Sequence, residues 1–193
     1  MGVYIGPNSG TPESTHESAW VRISTVPSGS TVNNITFDGL DTTVYRAWMI
    51  IGSLLGGTDN AYLNFYWRRS NSDEVANKYA YSNNIVYPTN SNYQSSSQNQ
   101  GRMQIAENAG NDHSNREGHR FQITMFPYRS GDSVAQGNFC YWSAIRIDDD
   151  GDFRGYTGQG SYDVGGIHPD GFKLQMSSGQ INDYNYSVYG LLV

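Results

Sequence analysis

The sequence predicts an all-β protein: a two-sheet β-sandwich, jelly-roll-like, with a flexible N-terminal arm over residues 1–18 and a single sandwich domain over residues 19–193. Three observations carry this. About ten short alternating or apolar segments are separated by Gly, Asn, Ser and Pro turn signals, the spacing of sandwiches and barrels. Tyr and Gly are abundant while helix formers are scarce, lysine occurring only at Lys78 and Lys173. Finally, residues 43–54 and 61–69 read as two long strands joined by a turn at Gly56-Gly57-Thr58-Asp59-Asn60. In the second of these, Leu63, Phe65 and Trp67 alternate with Asn64, Tyr66 and Arg68, a period of two that sorts apolar and polar side chains to opposite faces. The first is apolar on both faces from Ala47 to Ile51, which predicts cover on both sides. A hairpin this apolar needs a second sheet packed against it.

In chain order, residues 1–18 are mostly Gly, Pro, Ser, Thr and Glu, the composition of an arm that orders on contact with a partner. Trp20, Arg22 and Ser24 alternate with Val21, Ile23 and Thr25, giving a first strand that Pro27-Ser28-Gly29 ends. Residues 31–37 form a second, closed by the Asp38-Gly39 turn. After the central hairpin, residues 70–77 read as a polar loop or single helical turn, and residues 78–87 as a strand carrying Tyr79, Tyr81 and Tyr87 on one face. Residues 88–100 (PTNSNYQSSSQNQ) read as a solvated loop. A short strand at 102–106 and a polar loop at 107–118 follow. Residues 119–128 alternate with Phe121, Ile123 and Met125 inward, and residues 137–147 make a long apolar strand. The chain turns at 148–151 and returns over 152–157. A Gly-rich loop is expected at 158–170, then strands at 171–176 and 185–193. No fixed-period repeat is present, which argues against propellers and β-helices, and a concanavalin-like sandwich is the rival topology.

Charge and cysteine usage narrow the partners. A net charge of −6 is wrong for binding phosphates, so nucleic acid is not an expected partner. No apolar stretch approaches the roughly 20 residues of a membrane helix. The opening MGVYIGPNSG lacks the basic start and apolar core of a secretory signal, so synthesis in a cytoplasm without classical export is expected. Cys140, alone in the sequence and inside an apolar run, reads as a small buried hydrophobe.

The densest ionisable cluster is Asp148-Asp149-Asp150-Gly151-Asp152. Asp148, Asp150 and Asp152 have the spacing of calcium ligands, but glycine at the fourth position and no Glu at the twelfth depart from the EF-hand pattern, and Asp and Gly are also ordinary turn residues. Calcium binding and a structural turn both stay open. No other cofactor is indicated. His16, His113, His119 and His168 form no zinc spacing, and Asp112-His113-Ser114 lacks a nucleophile elbow. Glycosidase chemistry needs two facing carboxylates, whereas Glu13, Glu17, Glu74, Glu107 and Glu117 all fall in expected loops or the arm. The sequence therefore reads as non-enzymatic. Tyr62, Tyr66, Tyr79, Tyr81, Tyr87, Tyr93, Tyr184 and Tyr186 exceed what one core is expected to absorb. Of these, Tyr87, Tyr93, Tyr62 and Tyr66 are the candidates for a glycan platform or a subunit interface, because aromatic faces stack on sugars and anchor interfaces. Arg68-Arg69 reads as a solvated rim.

The succession ITFDGL, Tyr45-Arg46-Ala47-Trp48 and YLNFYW, then GRMQIAENAGN, Phe126-Pro127, Ala144-Ile145-Arg146-Ile147 and Tyr189-Gly190-Leu191, resembles β-sandwich structural proteins of tailed-bacteriophage virions, of head-decoration, head-fibre and tail-fibre type. The resemblance spans residues 31–193 and carries no catalytic set. It implies a non-enzymatic virion component, attached to other capsid or tail proteins, made in the host cytoplasm and assembled as a homo-oligomer, with a trimer favoured. The arm is then the expected docking segment. The alternative is a carbohydrate-binding module or receptor-binding fibre tip that engages a host surface glycan.

Overall fold

The computed structural model describes residues 20–88, 92–112, 117–129, 137–147, 151–164 and 166–192; the arm expected over residues 1–18 lies outside them. Thirteen strands occupy the described residues, with no helix among them: β1 (Trp20–Val32), β2 (Ile35–Phe37), β3 (Tyr45–Gly56), β4 (Ala61–Arg69), β5 (Ser72–Asp73), β6 (Tyr79–Val86), β7 (Asn92–Gln100), β8 (Met103–Ala109), β9 (Gly118–Phe126), β10 (Asn138–Ile147), β11 (Phe153–Tyr162), β12 (Gly171–Met176) and β13 (Ile181–Leu192). All pairings are antiparallel. An eight-stranded sheet runs β1-β13-β3-β9-β10-β11-β6-β7, and a smaller one runs β2-β12-β4, with β5 and β8 both pairing β4.

This strand order is a jelly roll with two insertions. The run β1-β13-β3-β9 faces β2-β12-β4-β8, and β1 to β4 alternate between the sheets, as in a pair of Greek keys. One insertion, β5 to β7, enters between β4 and β8. The other, β10 and β11, enters between β9 and β12. Together β10, β11, β6 and β7 double the width of one sheet, leaving a broad outer face that the smaller sheet does not cover.

Several local expectations are corrected. Pro27 does not end the first strand: β1 continues to Val32 through a bulge between Val26 and Gly29, tolerated because β1 is a sheet edge. The stretch expected as a solvated loop at 88–100 contains β7, whose backbone is satisfied against β6 while its Ser, Gln and Asn side chains stay wet on the sheet edge. Residues 70–77 hold the two-residue β5 and no helical turn. The Gly-rich segment starting at 158 is partly strand, because Gly158 and Gly160 lie on the inner face of β11 beneath the Trp142 indole and the Met103 sulfur. Glycine here supplies space for a neighbour, a use that sequence propensity reads as loop.

The core lies between the sheets. Trp48 of β3 meets Trp67 of β4 across the interface at 6.3 Å between ring centroids, Phe65 packs edge-on against Trp67 at 5.2 Å, and Phe172 stacks on Phe65 at 6.3 Å. Phe121, Ile123 and Met125 point inward, as their alternation predicts. Cys140 is buried with its Sγ 3.1 Å from Met103 Sδ, and burial pushes its thiol pKa up, so it behaves as a hydrophobe. Tyr79 is fully buried, and its hydroxyl donates to the Glu74 carbonyl at 2.7 Å and accepts from the Trp67 amide at 3.0 Å. Tyr81, Tyr184 and Tyr186 are half-buried against the same core. The core thus takes up tyrosines that composition alone assigns to the surface.

Truncating Trp48 to Ala removes the inter-sheet aromatic contact and is expected to cost about 3–5 kcal/mol. Gly158→Val drives a side chain into the Trp142 ring and is expected to cost about 1–3 kcal/mol. Urea unfolding of both variants, followed by tryptophan fluorescence, checks the two values.

Candidate binding face on the eight-stranded sheet

Strand alternation on the large sheet sends Trp48, Ile50, Ile123, Cys140, Trp142 and Tyr156 inward, so the intervening residues point out. The register aligns them into rows across the strands. One row runs Thr25, Ser187, Ile51, Gln122, Ser143, Thr157, Asn84 and Gln94, from β1 to β7. Ile51 is the one apolar member of a row otherwise made of hydroxyls and amides. It is 41% exposed, so the cover expected on both faces of β3 exists on the inner face only. The adjacent row runs Asn185, Ser53, Arg120, Ile145, Gly155 and Val86, and the row on the other side includes Tyr189, Met49, Thr124, Tyr141, Gln159 and Ser82.

These rows floor a shallow groove of about 790 Å³ between the Val26-Pro27 bulge and Val86. Two further depressions on the same face, of about 390 and 420 Å³, continue it over β6, β7, β10 and β11. No Asp or Glu lines the groove, and Arg120 is its one fully charged side chain. Arg120 is exposed and makes no ion pair among the described residues. Beside the groove stands an aromatic cluster: Phe126 and Tyr141 meet at 5.9 Å in T-shaped contact with Phe139 opposite Phe126, and Tyr141 is 53% exposed. Hydroxyls, side-chain amides and exposed rings make a surface able to hydrogen-bond and stack.

The outer face of the small sheet is different in kind. Arg68 is nearly buried: its Nε and Nη2 reach the Asp38 carboxylate at 2.7 and 3.1 Å, Nη1 reaches Asp73, and Nη2 also donates to the Asn71 carbonyl at 2.6 Å. Lys173 pairs with Asp73 and sits 4.1 Å above the Tyr66 ring centroid. Arg68 is therefore a locked strut and not the solvated rim expected of it, whereas Arg69, pairing with Glu74 at 3.1 Å, remains half-exposed. This face presents paired charges and few free donors.

The four candidate tyrosines are divided between the sheets. Tyr62 and Tyr66 lie on the outer face of the small sheet, with Tyr66 occupied by Lys173. Tyr87 follows β6 and carries the Arg154 guanidinium 4.6 Å from its centroid; Tyr93, on edge strand β7, is 55% exposed. They do not converge on one platform. Of the calcium candidates, Asp148 and Asp150 lie outside the described residues, as do His16, His113 and Ser114; Asp152 is exposed. No cluster of three or more metal-ligating side chains occurs among the described residues. Glu107 belongs to strand β8, not to a loop, and its carboxylate accepts from Gln104 Nε2 at 3.2 Å.

The residues that build the groove escape sequence reading because Ser143, Thr157, Gln122 and Asn84 are common residue types on four separate strands. Their one signal is that each is the polar member of an alternating pair, and Phe126, Phe139 and Tyr141 are aromatics at the opposite parity to the core. Comparisons with protein-family models, curated proteins and solved structures give no match for the chain.

Behind the groove, His119 on the inner face of β9 is fully buried. Burial, then the charge of Arg146, brings its pKa down to about 3. The unfolded chain takes up this proton near pH 6.5 and the fold does not, so stability contributed by neutral His119 is lost as pH falls from about 6.5 toward 3, by about 1.4 kcal/mol per pH unit. His119→Leu is expected to flatten that part of the profile, measured as urea-derived stability against pH.

Proposed function

We propose that this chain is a non-enzymatic structural component of a bacteriophage virion, a jelly-roll module that decorates the capsid or forms part of a head or tail fibre. The sequence resemblance supports the virion setting. The observation that carries the binding role is the uncovered outer face of the eight-stranded sheet, where a groove with no Asp or Glu in its lining is built from hydroxyls, amides and apolar side chains, with exposed aromatic rings beside it. Assembly into a homo-oligomer, with a trimer expected, is supported by β7: residues Asn92–Gln100 form a sheet edge with no charge and no proline, two of the devices that block pairing with another chain, and its bulge is confined to the Ser97–Gln100 end. Residues 1–18 are the proposed docking segment for other virion proteins.

Light scattering on the purified protein is expected to give about three times the 21.5 kDa chain mass. Ser96→Lys with Gln98→Lys, which charges the β7 edge, is expected to reduce it to a monomer of unchanged melting temperature. Deleting residues 2–18 is expected to leave the fold intact and remove the protein from particles reconstituted in vitro. A monomeric parent protein, or a deletion variant that still attaches, overturns the corresponding part of the reading.

A second reading, a carbohydrate-binding module or receptor-binding fibre tip, is favoured by the polar groove beside Phe126 and Tyr141. It is compatible with the first, since a virion component can carry the surface that meets the host.

A further inference from the structure

The charge of the groove stands out against the rest of the molecule. The protein carries a net charge of −6, yet no carboxylate lines the groove and Arg120 stands exposed in it without an ion pair among the described residues. Arg68, by contrast, is spent on Asp38 and Asp73, and Arg69 on Glu74. Arg120 is flanked on its row by Ser53 and Ile145, and Gln122 and Ser143 lie on the next row of the same strands. A planar guanidinium with free donors takes a carboxylate in bidentate fashion, and the adjoining hydroxyls and amides match a chain of sugar hydroxyls. An open, shallow groove fits an extended polymer better than it fits a compact cofactor.

We propose that the groove binds an acidic saccharide, with Arg120 taking a sugar carboxylate and Gln122, Ser143 and Thr157 taking neighbouring hydroxyls. This rests on the glycan-binding reading above and adds the charge class of the ligand. A peptide is the weaker occupant, because the groove offers rows of side chains and no free strand edge along its floor for main-chain pairing.

Calorimetric titration of the full chain with a galacturonic acid tetramer and with a neutral glucose tetramer tests it. The acidic tetramer is expected to bind, its affinity falling with added salt, and Arg120→Gln to weaken it roughly 10- to 100-fold, the size of a lost charge-assisted hydrogen bond. Arg120 is exposed, so the variant's melting temperature should stay at the parent value. Tyr62→Ala, on the opposite sheet, should bind as the parent does. Equal binding of the neutral tetramer that is lost on Gln122→Ala overturns the acidic preference and leaves the glycan reading standing. No binding of either tetramer, across a panel of neutral and acidic glycans, overturns both. Binding of the acidic tetramer unchanged by Arg120→Gln, or abolished by Tyr62→Ala, places the site elsewhere and also overturns the proposal, as does preferential binding of a polyglutamate peptide.

Discussion

A line of aromatic rings joins the two sheets, and the rest of the fold is arranged around keeping it dry. Phe37 stacks on Phe172 at 5.8 Å, Phe172 on Phe65, Phe65 packs edge-on to Trp67, and Trp67 meets Trp48 on the opposing sheet. These contacts join β2, β3 and β4, consecutive in the chain, to β12 at Gly171–Met176, so burying them requires the jelly-roll return of the chain. The cost of this packing is visible too: the indole nitrogens of Trp48 and Trp67 are buried without hydrogen-bond partners, a penalty the apolar contact has to outweigh.

Where the large sheet extends past the small one, a polar chain takes over. Trp142 Nε1 donates to Asn83 Oδ1 at 2.8 Å, and Asn83 Nδ2 donates to the Gln104 carbonyl at 2.9 Å, tying β10 and β6 to β8. Gly158 opens the space that the Trp142 ring fills. The inserted strands are thereby fixed to the core through a satisfied network, which stiffens the part of the sheet that carries the groove.

The two outer faces have divided the work. On the small sheet, Asp38, Arg68, Asp73 and Lys173 neutralise one another, which fixes geometry and leaves little to offer a ligand. In the groove of the large sheet Arg120 is the one charged side chain, and the other exposed residues there are hydroxyls, amides, Ile51 and Ile145, whereas Glu117 and Asp183 line a neighbouring depression that Arg120 also borders. A surface of this composition keeps its donors free for a partner, which is why the binding role is assigned there and not to the more highly charged side.

Much of the architecture was legible from the residues alone. Alternation in residues 61–69 and 119–126, turn residues between segments, and the scarcity of helix formers determine strands, their inward faces and a two-sheet core, because side-chain direction in a strand follows a period of two. Strand number and spacing pointed to a sandwich with jelly-roll and concanavalin-like orders as rivals, and the strand pairing itself chose between them. Three further things were decided only by tertiary structure. Strand β7 exists because β6 offers it a ladder, since nothing in NYQSSSQNQ prefers a strand strongly. Tyr79 goes to the core, Tyr184 and Tyr186 pack half-buried against it and Tyr93 goes to the edge, because burial depends on which strand lies opposite, not on residue type. The groove itself is assembled from Thr25, Ile51, Gln122, Ser143 and Thr157 on five strands. Sequence specifies each strand's two faces, but pairing register specifies which residues become neighbours, and that long-range choice is made only when the whole core closes.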